Sequence, residues 1–170
     1  NGFRLYDAHM AKIREEGEKA LAWAREHGRR IMILAGRPYH IDPEISHGID
    51  RLAASLGFVV LTEDSLRVPL PDDIRVLNQW TYHSRLYAAA RYAGENPDVS
   101  LVQLVSFGCG IDAITTDEVR SILESRGGLY TQIKIDEITN LGAVTIRLRS
   151  LIGALEYAGG SALSRENQKQ

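Results

Sequence analysis

Short apolar runs and longer amphipathic stretches alternate along this chain. The first continuous apolar run, at 31–35, is typical of a strand buried on both faces of a parallel sheet. An Ala-, Glu- and Lys-rich stretch before it has apolar positions at helical spacing and predicts a helix. The alternation continues, and it predicts strands at 30–35, 58–61, 101–105 and 129–135 and helices at 8–27, 44–56, 73–94, 112–126 and 140–157.

The regular order of strands and helices predicts the fold class. Strands connected through helices form a parallel sheet with helices on both faces, joined by right-handed crossovers. Four strands favour the order 2-1-3-4, so the chain is predicted to be a flavodoxin-like three-layer α/β/α domain with a four-stranded parallel sheet. The predicted divisions are an N-terminal helix at 1–28, the flavodoxin-like α/β domain at 29–158 and a flexible tail at 159–170.

Composition narrows the classes of function. The chain has the length of one domain, 170 residues, and a formal net charge of −2, which provides no strong field for nucleic acid or anionic lipid. No apolar run reaches the length of a membrane span. The one cysteine cannot form an intrachain disulfide, which favours a reducing, cytoplasmic location. Because Asn1 takes the place of an initiator Met, we expect a segment of a longer protein.

The loop after the first strand carries polar side chains at the edge where parallel sheets bind ligands. Gly36 allows the backbone to turn, Arg37 offers a planar fork for a carboxylate or phosphate, and His40 can titrate near neutrality. In the order 2-1-3-4 this loop lies beside the loop after the third strand, where the strand order reverses. A rigid turn whose Arg37 and His40 contact the next helix explains these residues equally well.

The loop after the third strand places Cys109 between Gly108 and Gly110. Glycines on both sides allow the backbone to approach a ligand closely, and a helix beginning just beyond favours an anion or a thiolate. This setting favours a functional thiol over a small buried hydrophobe. After the fourth strand, Asp136 is placed to orient Arg37 or His40, or to pair with a nearby arginine. The five histidines are scattered and predict no metal site.

Three motifs in these loops resemble one family. They are Gly36-Arg37-Pro38-Tyr39-His40, Ser106-Phe107-Gly108-Cys109-Gly110-Ile111-Asp112 and Lys134-Ile135-Asp136-Glu137. Over roughly residues 30–151 the chain resembles the C-terminal domain of unknown function of acyl-CoA dehydratase activase-related proteins. That family is related to the subunits of 2-hydroxyacyl-CoA dehydratases and benzoyl-CoA reductases.

The resemblance implies one lobe of an iron–sulfur electron-transfer or acyl-CoA site. Cys109 would be its single metal ligand, and Gly36, Gly108 and Gly110 would give room to the bound group. Arg37 and His40 would hold an anionic group or deliver a proton, with Asp136 orienting them. A cubane cluster takes about four ligands, so other domains of the long chain or a dehydratase-type subunit must supply the rest.

Two interpretations stay open at this point. In the first, the chain is a lobe of a CoA-substrate-specific enzyme activase-related protein, inactive alone, without a cluster of its own and with the ATPase module elsewhere. In the second, it is a non-catalytic docking module or a module that binds phosphate or a CoA ester, with Cys109 merely packed. A free-standing thiol enzyme would need a histidine near Cys109 and ranks last.

Overall fold

The structure, a computed structural model, describes residues 2–70, 72, 74–76, 78, 80–106, 108, 110–136 and 140–167, with backbone only for 159–167. Helices and strands alternate along these residues. The helices are α1 (Gly2–Glu26), α2 (Ile49–Ser55), α3 (Thr81–Glu95), α4 (Gly110–Glu124) and α5 (Gly142–Asn167), and the strands are β1 (Arg30–Ala35), β2 (Phe58–Leu61), β3 (Val99–Val105) and β4 (Tyr130–Lys134). Short 3₁₀ helices at Pro38–Ile41 and Glu63–Ser65 follow β1 and β2.

The four strands form one parallel sheet in the order β2-β1-β3-β4. The predicted fold class and strand order are therefore confirmed. At the centre of the sheet, Ile33 of β1 lies opposite Leu61 of β2 and Leu101 of β3. The order reverses between β1 and β3, because β2 lies on one side of β1 and the chain then returns to its other side.

Two apolar cores cover the two faces of the sheet. Alternate residues of a strand point to opposite faces, so Ile31 and Ile33 pack with α1, α3 and α4 while Met32 and Leu34 pack with α2 and α5. All four side chains are buried. Burial on both faces explains why the strand is a continuous apolar run. Among the described residues no helix is long and apolar enough to span a membrane.

The predicted start of the second helix is wrong. The sequence predicted a helix over 44–56, but α2 begins at Ile49. His47 and Gly48 have φ of 53° and 73°, in the left-handed region, which a right-handed helix cannot include. The amides of Glu44 and Ile45 donate instead to the Asp42 carboxylate, 2.9 and 3.4 Å away, so this segment is a turn.

The predicted helix over 73–94 also begins too early, because α3 starts at Thr81. The backbone amide of Arg75 donates to the carboxylate of Glu118 on α4, 2.9 Å away. Trp80 has extended backbone just before the helix. A contact with another element therefore replaces the helical hydrogen bond that local propensity would favour.

The last helix extends beyond its predicted end near residue 157, and the flexible tail at 159–170 stays a prediction. Helix α5 continues to Asn167. No proline interrupts it, and its Ala, Leu, Arg and Glu residues favour a helix. The division into domains at residues 28 and 158 stays a prediction.

Candidate functional site

The loops after β1 and β3 meet where the strand order reverses, as predicted. Side chains of one loop bond to side chains that follow the other strand: Arg37 to Asp112, and Tyr39 and His40 to Ser106. We call these five residues the switch-point cluster. Ligands of open parallel sheets bind at this edge and at this reversal, so the cluster marks the candidate site.

Arg37 is held rigidly by Asp112. Its Nη2 and Nε donate to the same oxygen, Oδ1, at 2.7 and 3.2 Å. The two side chains are 22% and 13% exposed, and the Arg37 guanidinium lies 5.4 Å from the ring centroid of Tyr82. The bonds to Asp112 raise the pKa of Arg37 beyond its already high value, against the opposing effect of burial. Arg37 is therefore a fixed, permanent cation.

Position 36 requires a glycine because the ring of His40 lies directly against its backbone. A Cβ at Gly36 would overlap Nδ1 of the His40 ring and would lie 3.2 Å from the carbonyl oxygen of Leu104. The backbone amide of Arg37 donates to that Nδ1 at 3.0 Å. Nδ1 is therefore an acceptor, which places the proton of a neutral His40 on Nε2.

A short hydrogen-bond chain leads from His40 to the surface. The His40 Nε2 lies 3.3 Å from Oγ of Ser106, which lies 2.9 Å from the hydroxyl of Tyr39. Burial, reinforced by Arg37, lowers the pKa of His40 to about 4, although Asp112 opposes the shift. His40 is therefore neutral at pH 7, and its predicted role in proton delivery stays a prediction.

Two cavities open on either side of the switch-point cluster. The β1–β2 cavity, about 400 Å³, lies beyond the ends of β1 and β2 and includes Arg37, His40 and Glu63 in its walls. The β3–β4 cavity, about 340 Å³, lies beyond the ends of β3 and β4 and includes Ser106 and Asp112. The side chains of the switch-point cluster therefore fill the place where the strand order reverses, and the two cavities lie on either side of it.

The predicted site residues divide between these places. Gly36, Arg37 and His40 line the β1–β2 cavity, whereas Gly108 and Asp136 line the β3–β4 cavity. Arg37 donates to Asp112, and the orienting role predicted for Asp136 stays a prediction. Gly110 is the first residue of α4. A Cβ on Gly108 or Gly110 would meet nothing within 4 Å, so space above both is open.

Cys109 lies outside the described residues, so its predicted role as a metal ligand is not located. The chain has one cysteine, whereas a cubane cluster needs about four ligands. Within the described part of the chain no group of three His, Cys, Asp or Glu side chains could hold a metal ion. The residues of this chain therefore do not fit a complete iron–sulfur cluster.

Sequence reasoning missed two buried titratable side chains near the cluster. Glu63 is 7% exposed, and burial raises the pKa of its carboxyl to about 7 although the Gly36 amide favours ionisation. His83 on α3 is also buried, with its pKa lowered by burial, and its Nε2 has no hydrogen-bond partner. Both side chains are buried by tertiary packing, which the local sequence pattern does not indicate. Asp112 was visible in the sequence as an acid following the glycine loop, but its partner Arg37 is 75 residues away.

Comparison with known proteins gives one match. Residues 1–66 match the family described as CoA enzyme activase uncharacterised domain (DUF2229). The match spans α1 to the segment after β2 and includes Gly36, Arg37 and His40, but it covers less than half of the chain. The motifs at 106–112 and 134–137 lie outside it, and their resemblance stays a prediction. No curated protein and no solved structure matches. The match confirms the resemblance to activase-related proteins where the two overlap, at residues 30–66.

Proposed function

We propose that this chain is the ligand-binding lobe of a CoA enzyme activase-related protein and holds a phosphate-bearing part of a CoA ester in the β3–β4 cavity. The first turn of α4, at Asp112 and Ala113, faces this cavity, and so do the cationic side chains of Arg120 and Lys134. A helix N-terminus beside two cations favours a bound phosphate. The family match supports CoA chemistry.

The switch-point cluster supports this proposal by controlling charge at the cavity wall. Asp112 would repel a phosphate, but its charge is balanced by Arg37. Gly108 lines the cavity, and the open space above it lets a ligand approach the backbone. Asp117 and Asp136 also line the cavity, which favours a ligand with neutral hydrogen-bond donors beside its phosphate over a free polyphosphate.

Calorimetric titration of the chain with CoA, 3′,5′-ADP, pantetheine and inorganic phosphate tests the proposal. We expect CoA and 3′,5′-ADP to bind, and Arg120→Gln and Lys134→Gln each to weaken both by about tenfold at low ionic strength, close to 1.4 kcal/mol. Arg149→Gln, at an exposed position on α5, is the matched control and should change nothing. Binding of pantetheine alone, or CoA binding that ignores Arg120 and Lys134, would contradict the proposal.

A cluster-ligand role for Cys109 is a second proposal, supported by its place between Gly108, which lines the cavity, and Gly110, which begins α4. The other thiolates would come from another lobe or subunit. Anaerobic iron and sulfide reconstitution of the natural protein containing this chain, with Cys109→Ser beside wild type, tests it. Loss or spectroscopic change of the cluster in the variant is expected. An unchanged cluster, or none in either protein, would refute this role without affecting the CoA test.

A further inference from the structure

The β1–β2 cavity has the walls of a site for a small organic molecule. Apolar side chains, among them Leu34, Val60 and Leu104, form much of its surface. Small-molecule sites are typically such apolar clefts with a few converging polar groups. The proposal for the β3–β4 cavity does not use this space.

Two carboxylates at this cavity have oxygen atoms without partners. Oδ1 of Asp50 and Oε2 of Glu63 are both buried and accept no hydrogen bond. The Glu63 residue as a whole is 7% exposed, and both residues line the cavity. A buried acceptor without a donor costs free energy of folding, so a bound group that supplied N–H donors would be stabilised here.

The cations that line the β1–β2 cavity are balanced or screened. Arg37 is balanced by Asp112, and His40 is neutral at pH 7. Arg51 lines the cavity but is exposed to solvent, which screens its charge. Glu63 also lines a smaller cavity of about 70 Å³ with Arg14, Asp64 and Arg85, where Arg85 pairs with Asp64; this cavity has room for water but not for an organic ligand.

We propose that the β1–β2 cavity binds a small organic cation, an amidinium or ammonium group on an apolar body, with Glu63 and Asp50 as its carboxylate partners. The apolar body packs between the ends of β1 and β2, and the charged group donates to Glu63, with Asp50 as a second carboxylate on the cavity wall. No covalent step is involved. The site lies outside the β3–β4 cavity, so this proposal and the proposed CoA site can be tested independently.

Binding of a cation releases a proton from Glu63. Its carboxyl has a pKa of about 7, so near neutrality part of the population must ionise before it pairs with the ligand. The affinity for a cation should therefore rise by about tenfold between pH 6 and pH 8 and then level off. A neutral or anionic ligand of the same shape would not show this rise.

Three probes with one shape and different charge test the proposal: benzamidinium, benzamide and benzoate. Their binding to the chain is followed by nuclear magnetic resonance, with the amide signals of Gly36, Thr62 and Ala54 reporting on the cavity. We expect benzamidinium to shift these signals with the stated pH dependence and benzoate to leave them unchanged. Benzoate or benzamide binding as tightly as benzamidinium, or no binding by any probe, would overturn the proposal.

Matched variants locate the effect. Glu63→Gln keeps the side-chain shape and should remove both the pH dependence and most of the benzamidinium affinity, while Asp50→Asn should weaken binding but keep the pH dependence. Glu124→Gln, an exposed acid on α4, is the control and should behave like wild type. A pH dependence that persists in Glu63→Gln would overturn the assignment.

Discussion

The two cavities beside the switch-point cluster use charge in different ways. At the β1–β2 cavity, His40 and Glu63 are almost fully buried, and burial shifts the pKa of each toward its neutral form. At the β3–β4 cavity, Lys134 and Asp136 are exposed, and Asp112 is paired with Arg37. The two sides of one sheet edge therefore differ in how their charge is set: burial favours the neutral forms of His40 and Glu63 on one side, whereas the charged side chains on the other side are exposed or paired.

Adding a methyl group at one glycine on each side should separate the two environments most strongly. Gly36→Ala would force its Cβ into His40 and against the Leu104 carbonyl, so we expect a loss of about 4 kcal/mol in the free energy of unfolding. Gly108→Ala meets nothing within 4 Å and should change it by less than about 0.5 kcal/mol. Urea denaturation measures both, and equal losses would contradict the comparison.

The buried side chain of His40 should lower the stability of the fold as the pH falls. His40 has a pKa of about 4 when folded and 6.5 in the reference state, so the unfolded chain takes up its proton first as the pH falls. Between about pH 6.5 and 4 the free energy of unfolding should drop by about 3 kcal/mol because of this residue. His40→Gln should remove that part of the slope, and a slope unchanged by the substitution would refute it.

The buried carboxyl of Glu63 should lower the stability of the fold as the pH rises. Glu63 has a pKa of about 7 when folded and 4.5 in the reference state, so its stabilising effect is complete below pH 4.5 and is lost as the pH rises through 7. We expect Glu63→Gln to gain about 3 kcal/mol relative to wild type from pH 4.5 to pH 8. Paired denaturation curves across this range measure the gain; a constant difference would be evidence against the burial of an ionisable carboxyl.

Two aspartates that line the same cavity should differ in their effect on stability. Asp112→Asn leaves the mostly buried Arg37 without its charged partner and should cost about 2 kcal/mol of unfolding free energy. Asp117, 78% exposed and 3.8 Å from Arg120, should tolerate Asp117→Asn within about 0.5 kcal/mol. Thermal denaturation at one pH compares the two variants. Similar melting temperatures would show that the ion pair of Arg37 with Asp112 contributes no more to stability than the exposed pair does.

The smallest effect should come from the end of the hydrogen-bond chain. Tyr39→Phe removes the hydroxyl that lies 2.9 Å from Ser106 and should cost about 1 kcal/mol, because the partly exposed ring stays in place. Tyr157→Phe, at a side chain 81% exposed, is the matched control and should be neutral. If the two variants unfold at the same denaturant concentration, the bond to Ser106 contributes nothing.

The fold could be predicted because its signals are local. The apolar run of β1 follows directly from burial on both faces, and the order of the elements sets the sheet topology. Helix starts were less predictable, since the left-handed φ of His47 breaks the helical pattern locally and the bond from Arg75 to Glu118 joins residues far apart in the chain.

The candidate site could be predicted only in part. The sequence located Arg37 and His40 at the correct sheet edge, because the carboxyl ends of parallel strands meet there. It did not pair Arg37 with Asp112, and it gave no sign that Glu63 is buried. Pairing across 75 residues and burial of a polar side chain both arise from packing, which composition and spacing do not encode.

Mapping the amide resonances of the chain during titration with CoA shows directly which cavity holds the ligand. We predict shifts at Gly108, Ala113 and Lys134, around the β3–β4 cavity, with Thr62 and Ala54 of the β1–β2 cavity unchanged. Shifts confined to the β1–β2 cavity, or no shifts at saturating CoA, would contradict the claim that this lobe holds a CoA-type ligand at the β3–β4 cavity.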